Sequence, residues 1–479
     1  MPQGCRRHLV IMVGAGPAAL YCTGKLVEAG HTVLILNRDI KPGGLAEYGI
    51  YPTKHKMKEG LRKQFRKILA HPRVLYFGNV TVGEAGPVRL SDLESLKGSA
   101  IVVAAGAQGT KSLGVPGEEG PHVYHAKDLV YHYNRLPPFT GQEFPMGQRV
   151  AIIGIGNVMV DIAHYLITAR RVHEVIAVAR RGPKERAYDD REMQAIAANI
   201  DREALKRELE RIRPRLAPLG QEVDALYQEL TRHSDVPPED GASPTRLTFR
   251  FLASPTRIVR DEQGRVIGLE VEENTLVERG GKLAAKGLGQ VSRLAVDTVV
   301  FAIGDRVDPA LGLPVMDGGY ATNPTPDPQD PEAAKYQVFN PQTGQPLEGA
   351  FVIGWSRSAS EGVVGKARLD GEKGAAVVNR FLARRPPLSC REIYQQRIGP
   401  LYRRLREQKV PVVHKGLWRI LEKVEQEEAR KQGLPEFKYA RNEEMLQVLE
   451  VAINRLASRS ASVPPTKLFE APRASVSGT

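Results

Sequence analysis

His8-Leu9-Val10-Ile11-Met12-Val13-Gly14-Ala15-Gly16-Pro17-Ala18-Ala19 begins the chain's organised sequence, and the same pattern returns 140 positions later as Arg149-Val150-Ala151-Ile152-Ile153-Gly154-Ile155-Gly156-Asn157-Val158-Met159-Val160-Asp161. Each stretch is a short apolar strand, a glycine-rich turn and the start of a helical pattern. In such a turn the first Gly allows the strand to fold sharply into the helix. The second lets the backbone approach a pyrophosphate, and a small third residue lets the helix pack on its strand. The free N–H groups and positive dipole end of the helix then face the phosphate charge. The third position is Ala19 in the first copy and the larger Val160 in the second, so the second copy is less regular. One such turn implies one dinucleotide. Two imply a protein that holds two and passes a hydride between them.

Working outward from the first turn, a helix over Ala18–Glu28 leads to a second strand, Thr32–Leu36. Asn37 follows where dinucleotide folds place an acidic residue on the ribose hydroxyls. It can hydrogen-bond a hydroxyl but lacks the carboxylate charge, and Asp39 is the alternative. Ser99–Gly106 reads as a buried strand whose small end, Ala104-Ala105-Gly106, can lie close against a cofactor. After the second turn, the strand Glu174–Ala179 runs into Arg180-Arg181-Gly182-Pro183. This position meets the 2′ carbon of the adenosine ribose, and arginines there suit a 2′-phosphate through bidentate charge-assisted hydrogen bonds. The preferred nucleotide is therefore NADP(H), with NAD(H) as the alternative.

Helices are expected over Lys56–Leu69, Asn157–Thr168 and 371–384, and through a charged stretch at 190–232 interrupted by Pro214 and Pro218. Strands are expected at 246–251, 266–272, 294–302 and 349–355. From 389 to 455 the chain reads as polar helix, and from 456 as a Ser/Ala/Pro-rich disordered tail.

The chain has 479 residues and a net charge of +13. No run of about 18 apolar residues is present, which argues against a membrane-spanning helix. Arg6-Arg7 before an apolar stretch superficially matches a signal peptide, but the stretch ends in the glycine turn and reads as a first strand. The expected location is cytoplasmic. Three cysteines, Cys5, Cys22 and Cys390, cannot build a four-thiolate iron–sulfur cluster in one chain. No Cys-x-x-Cys dithiol is present, so an organic cofactor carries any electrons. Cys22 is expected to be a small buried residue of the first helix. No metal site and no nucleic-acid motif is expected. The basic helix from Lys54 to Lys67 reads either as a solvated face or as a docking face for an acidic partner.

The motifs in order resemble the adrenodoxin reductase-like group of FAD-dependent ferredoxin–NADP reductases, which share a two-domain core with the small subunit of glutamate synthase. The resemblance rests on Gly14 to Leu20, on Gly43-Gly44-Leu45-Ala46-Glu47-Tyr48-Gly49-Ile50, on Leu113 to Glu118 and Tyr133-Asn134, on Gly154 to Asp161 with Arg180 to Pro183, and on Gly354-Trp355 with Glu361 to Gly365. It covers about residues 8–385 well and continues more weakly through Trp418 to Met445.

That resemblance implies an FAD site of Gly14, Gly16, Pro17, Ala19, Asn37, Gly44, Leu45, Ala105, Gly106 and Gly354. Backbone N–H groups of Gly362, Val363 and Val364 would reach the flavin edge. It implies an NADP site of Gly154, Gly156, Asn157, Val158, Arg180, Arg181 and Glu192. Trp355 would sit beside the flavin, or else be an ordinary core aromatic, and Asp161 matches the family's Asp. The family's Pro-Asp-His element reads Pro52-Thr53-Lys54-His55 here, so Lys54 or His55 would take the place of the flavin-proximal His. The Arg-Gly-Pro expected after the tryptophan reads Arg357-Ser358-Ala359-Ser360.

The expected fold class is α/β, with two Rossmann-like dinucleotide-binding domains and a helical C-terminal extension. The FAD domain would comprise 1–148 and 345–385, an inserted NAD(P) domain 149–344, the extension 386–455 and the tail 456–479. The expected activity is hydride transfer from NADPH to FAD, then single electrons to an acidic ferredoxin- or flavodoxin-like acceptor. The alternatives are a subunit feeding a larger partner oxidoreductase and a non-catalytic nucleotide-binding scaffold.

Overall fold

The first glycine turn sits at the centre of a seven-stranded sheet. In spatial order the strands are Gln337–Asn340, Gln345–Val352, Ala100–Val103, Leu9–Val13, Thr32–Asn37, Val74–Gly78 and Val413–His414. The inner five run parallel, and the two outermost pair antiparallel. The central strands Leu9–Val13 and Thr32–Asn37 are buried at every position, as expected of parallel strands covered on both faces. The computed structural model describes residues 6–238, 241–326, 328, 330–359 and 364–459.

The chain divides into two compact units. The first comprises residues 1–110, 133–141 and 304–479, and the second 111–132 and 142–303. The second unit carries the second glycine turn on a five-stranded all-parallel sheet ordered Arg246–Arg250, Glu174–Val178, Arg149–Ile153, Thr298–Phe301 and Val123–His125. The α/β class with two Rossmann-like units holds. Residues 304–344 pack in the first unit rather than the second. One reason is that Gln337–Asn340 pairs with Gln345–Val352 at the edge of the first sheet.

Other elements differ from the sequence reading for local reasons. Ala253–Arg260, Val266–Arg279 and Lys282–Leu294 form a three-stranded antiparallel sheet in the second unit. Its last strand is mostly exposed and contains two glycines and two lysines, so its sequence carries no strand signal and the pairing partner imposes the conformation. The charged stretch is interrupted where the prolines fall: the helix Arg202–Leu216 takes in Pro214 but ends two residues after it, and the next helix begins at Val223. The helix expected at 371–384 begins earlier, at Val364, and ends at Ala383. The final helix, Asn442–Arg459, runs four residues into the span expected to be disordered, and residues 460–479 lie outside the described residues.

The extension is part of the first core. Leu417, Trp418, Leu421, Met445 and Leu449 pack in the same apolar cluster as Ala19, Leu20 and Leu26 of the first-turn helix. Among the described residues no helix is long and apolar enough to cross a membrane.

Candidate functional site

Both glycine turns are built on the same pair of backbone hydrogen bonds. The N–H of Gly14 donates to the carbonyl of Leu36 (2.8 Å), and the N–H of Ala104 donates to that of Val13 (2.8 Å). In the second unit Gly154 donates to Val178 (2.9 Å), and Ala302 donates to Ile153 (2.8 Å). Each first glycine is thus fixed between the ends of its two neighbouring strands. Gly14 has φ +102° and Gly154 φ +119°, backbone that L side chains rarely adopt. A Cβ on Gly14 would also collide with the Ala104 carbonyl, and one on Gly154 with the Ala302 carbonyl.

The second glycines are the reverse case. An added Cβ at Gly16 or Gly156 would meet nothing within 4 Å. Each is the N-cap of its helix, Pro17–Glu28 and Asn157–Tyr165, with no side chain capping the free N–H groups. Open space, uncapped donors and a positive helix end fit a pyrophosphate at both places. Ala19 is fully buried and Val160 nearly so, consistent with the third position as a packing site.

Several separate segments converge on the first turn. Gly43 donates to the carbonyl of Ala15 (2.8 Å), and Gly44, at φ +50°, would carry a Cβ 3.0 Å from the Cα of Gly16. This leads Leu45 past the turn as the start of a four-residue helix, Leu45–Tyr48. Gly106 donates to the Oγ of Ser356 (3.0 Å), which joins the strand end Ala105-Gly106 to Gly354-Trp355. Gly354, at φ +63°, donates to the carboxylate of Asp370 and leaves only 2.7 Å between an added Cβ and the Cβ of Ala18. Asp370 also pairs with Arg357, after which the chain departs from the family pattern at Ser358, and Arg357 stacks over Tyr336 at 4.8 Å. Trp355 is half-buried. Val364 is the first residue of its helix, whereas Gly362 and Val363 lie outside the described residues.

Asn37 is placed differently from the expectation of a ribose ligand. It is buried, its Oδ1 accepts from the N–H of Ala15 (3.0 Å), and its Nδ2 faces the carbonyls of Asp39 (2.8 Å) and Lys41 (3.2 Å) and the Tyr76 hydroxyl (3.1 Å). Its amide clasps the turn from behind. His55 begins the long helix His55–Ala70 and is half-buried, directly after the short turn Pro52–Lys54.

In the second unit Asn157 is engaged by Asp189, whose N–H donates to Oδ1 (2.7 Å) and whose carboxylate accepts from Nδ2 (3.2 Å). Val158 is 42% exposed. Asp161 lies one turn further along the same helix, half-buried, and Glu192 lies on the short helix Asp190–Met193. Arg180 is exposed and Arg181 half-exposed, and neither guanidinium has an ion pair among the described residues. Nearby arginines do have partners: Arg186 pairs with Glu229, and Arg211, Arg215 and Arg250 all pair with Glu273. Two unpaired guanidiniums past the second turn are suited to a phosphate dianion.

The sequence reading missed what holds this loop. Asn274 is 1% exposed and donates from Nδ2 to the carbonyl of Arg180 (2.9 Å) and to the Oγ of Ser254 (2.8 Å). Its own N–H donates to the carbonyl of Leu252 (2.7 Å), and Leu252 in turn donates to the carbonyl of Arg181 (3.1 Å). A polar residue in an otherwise alternating strand, at the bulge between Glu272 and Asn274, was the available signal.

The basic helix His55–Ala70 is neither wholly solvated nor wholly a docking face. Lys56, Lys63 and Lys67 are exposed, but Lys58 is buried on Asn134 (3.1 Å) and Glu436 (3.2 Å), and Arg62 makes a bidentate pair with Glu47 (2.7 Å each). Cys22 is buried, and burial, with Asp370 nearby, pushes its thiol well above its usual range. Among the described residues no cluster of side chains could hold a metal ion.

The model of the Pyridine nucleotide-disulphide oxidoreductase family matches residues 8–228. The chain is 29% identical over 477 residues to NADPH-ferredoxin reductase FprA of Mycobacterium tuberculosis, covering 92% of this chain and 99% of the relative. It is 26% identical over 395 residues to the mitochondrial NADPH:adrenodoxin oxidoreductase of Arabidopsis thaliana, covering 74% and 78%. The solved structure of Mycobacterium tuberculosis FprA in complex with NADPH superposes with a TM-score of 0.75 at 27% identity, covering 93% of this chain and all of that one.

Proposed function

We propose, from a chain that is a homologue of the adrenodoxin reductase-like ferredoxin–NADP reductases, that it moves electrons from NADPH through FAD to a small acidic electron-transfer protein. The observation that carries this reading is the doubled turn. Two backbone frames of one design each leave room and uncapped N–H donors for a pyrophosphate.

FAD would be held in the first unit by Gly14, Gly16, Pro17, Ala19, Gly44, Leu45, Ala105, Gly106 and Gly354, with Val364 at the start of the closing helix. Asn37 supports the turn in place of binding the ribose, which leaves Asp39 as the candidate for the hydroxyls. NADPH would be held in the second unit by Gly154, Gly156 and the N–H groups of Asn157 and Val158, with Arg180 and Arg181 on the 2′-phosphate and Glu192 at the same site. When bound, FAD accepts a hydride and releases electrons singly. The protein's part is to align the two rings and exclude water, and this step needs no acid or base from the chain. Trp355 is the candidate to cover the flavin ring. His55 and Asp161 remain candidates for proton handling, one in each unit.

The acceptor is expected to be ferredoxin- or flavodoxin-like and acidic, which suits a chain of net charge +13 and predicts docking weakened by salt. A cytoplasmic setting, where NADPH is available, completes the proposal. The test is anaerobic. The purified protein should be yellow, bleach with NADPH far faster than with NADH, and reduce cytochrome c only when ferredoxin is added. A protein that stays colourless after incubation with FAD overturns the reading. Cytochrome c reduction that ferredoxin does not accelerate overturns the acceptor.

A further inference from the structure

The helix Leu45–Tyr48 has four residues and glycines on both sides, at 43–44 and at 49. A helix this short has no stability of its own and takes its position from what grips it. The grip is Glu47. Its side chain is 3% exposed and is surrounded by three cations: Arg62, bidentate at 2.7 Å, Lys41 at 3.0 Å and Lys438 at 3.4 Å. Burial alone would push this carboxyl up, but Lys41, Lys438 and Arg62 overcome it and hold the group ionised, well below its usual range.

Lys438 is the only one of the three that comes from the C-terminal extension, and it makes the larger set of contacts to the loop. Its Nζ donates to the main-chain carbonyl of Glu47 (2.7 Å) and to that of Asn134 (3.3 Å), and lies 4.8 Å from the centre of the Tyr48 ring. Neighbouring residues hold it in place. Glu436 pairs with Lys58, Arg62 and, at 3.8 Å, Lys438 itself, while Glu425 on the preceding helix takes the second contact of Lys41 at 2.5 Å. Every group in this set is within the first unit.

Buried ion pairs are weak evidence for net stability, since well-packed apolar residues often do as well. Their better-attested role is to select one arrangement among several. Here the arrangement selected is that of a loop hinged on glycines, one of which packs on Gly16. We propose that Lys438 is a positioning residue for the flavin: through Glu47 it holds Gly44 and Leu45 against the first glycine turn, so that the C-terminal extension sets how tightly FAD is held. This rests on the assignment of FAD to the first turn.

The test is FAD binding to apo-protein, followed by flavin fluorescence, in Lys438→Met, Glu47→Gln and Leu449→Ala. Leu449 is a buried apolar residue of the last helix and reports what general damage to the extension does. Lys438→Met and Glu47→Gln should raise the FAD dissociation constant at least tenfold, and the flavin that remains bound should lose the fine structure of its absorption band as Leu45 loosens. Leu449→Ala should lower the apo-protein melting temperature as much and leave the dissociation constant within twofold. Should Lys438→Met fail to fold, Glu47→Gln, which keeps the side-chain volume, decides alone. The proposal is overturned if the loop variants bind FAD within twofold of the unsubstituted protein, or if Leu449→Ala weakens binding as much as they do. An unsubstituted protein that binds no FAD instead overturns the assignment of the first turn.

Discussion

The two glycine turns have the same skeleton and opposite surroundings. Around the first, Asn37 clasps the turn from behind, Gly44 packs on Gly16, Gly354 abuts Ala18, and the extension closes over the loop through Lys438. Around the second, Val158 and Arg180 face solvent, and the guanidiniums of Arg180 and Arg181 have no ion pair among the described residues. Identical backbone chemistry can therefore serve two lifetimes. A turn enclosed by other segments suits a cofactor that stays bound, and an open one suits a nucleotide that must leave after each hydride.

The sharpest way to break this contrast is to put a side chain on each first glycine. Gly14→Val and Gly154→Val each force a positive φ on a branched residue and drive its Cβ into a strand carbonyl. Gly14→Val should give colourless or unfolded protein. Gly154→Val should stay yellow while its NADPH affinity falls, by about 100-fold or more if the lost backbone contacts are worth roughly 3 kcal/mol. Flavin content and nucleotide titration read both. Loss of flavin in the Gly154 variant would mean that the two sites are not separable.

A smaller effect is expected at the phosphate loop. Replacing Arg180 and Arg181 together by Ala should raise the KM for NADPH by about 100-fold and leave NADH nearly unaffected, given charge-assisted bonds of roughly 1.5–3 kcal/mol. Asn274→Ala keeps both arginines but frees the carbonyl of Arg180, and should raise the NADPH KM by about fivefold, the scale of one hydrogen bond of ~1 kcal/mol. Equal losses for NADPH and NADH would show that neither the arginines nor Asn274 reads the 2′-phosphate.

A further test, by pH, concerns the first region alone. Burial lowers the Lys438 ammonium to about 8 from 10.5, against the pull of Glu47 and Glu436. The folded state then binds fewer protons than the unfolded one between those values, so apo-protein stability should rise with pH across that window, by up to about 3 kcal/mol from this group. Lys415, lowered by burial and Arg419 to about 8 as well, adds a weaker part of the same sign. Glu47 works at the other end: its folded pKa is depressed, so the stability it contributes is present above its unfolded value and lost as acid protonates it. Melting curves at stepped pH should show both flanks, and Lys438→Met should flatten the alkaline one. An unchanged alkaline flank would mean that Lys438 is not the group responsible.

Features written in neighbouring residues were legible from the sequence. The two turns, their strands, the helix from Pro17 and the arginine pair all follow from local spacing, and the structure brings Gly14, Gly44, Gly106 and Gly354 together as the motifs implied. The supports were not legible. Asn274 holds Arg180 across 94 positions, and Lys438 reaches Glu47 across 391. Each looks like an ordinary polar residue in its own neighbourhood, and only the fold supplies the partner. The contacts of Asn37 were not legible either: burial turns its amide inward, onto Ala15, Asp39, Lys41 and Tyr76. The basic helix was half-legible, because periodicity shows that charges share a face and not which face is covered.

The order of residues along the chain also bears on biosynthesis. The second unit is made within residues 111–303, so all of its strands have been synthesised long before the chain is finished. The first unit begins at the start of the chain, yet one of the three cations around Glu47 is translated 391 residues after it. Every residue of the second unit is therefore available before the last contact to the Leu45–Tyr48 loop of the first unit can form. A chain stopped short of Lys438 would keep its second glycine turn and lose one of the three cations that surround Glu47 beside its first.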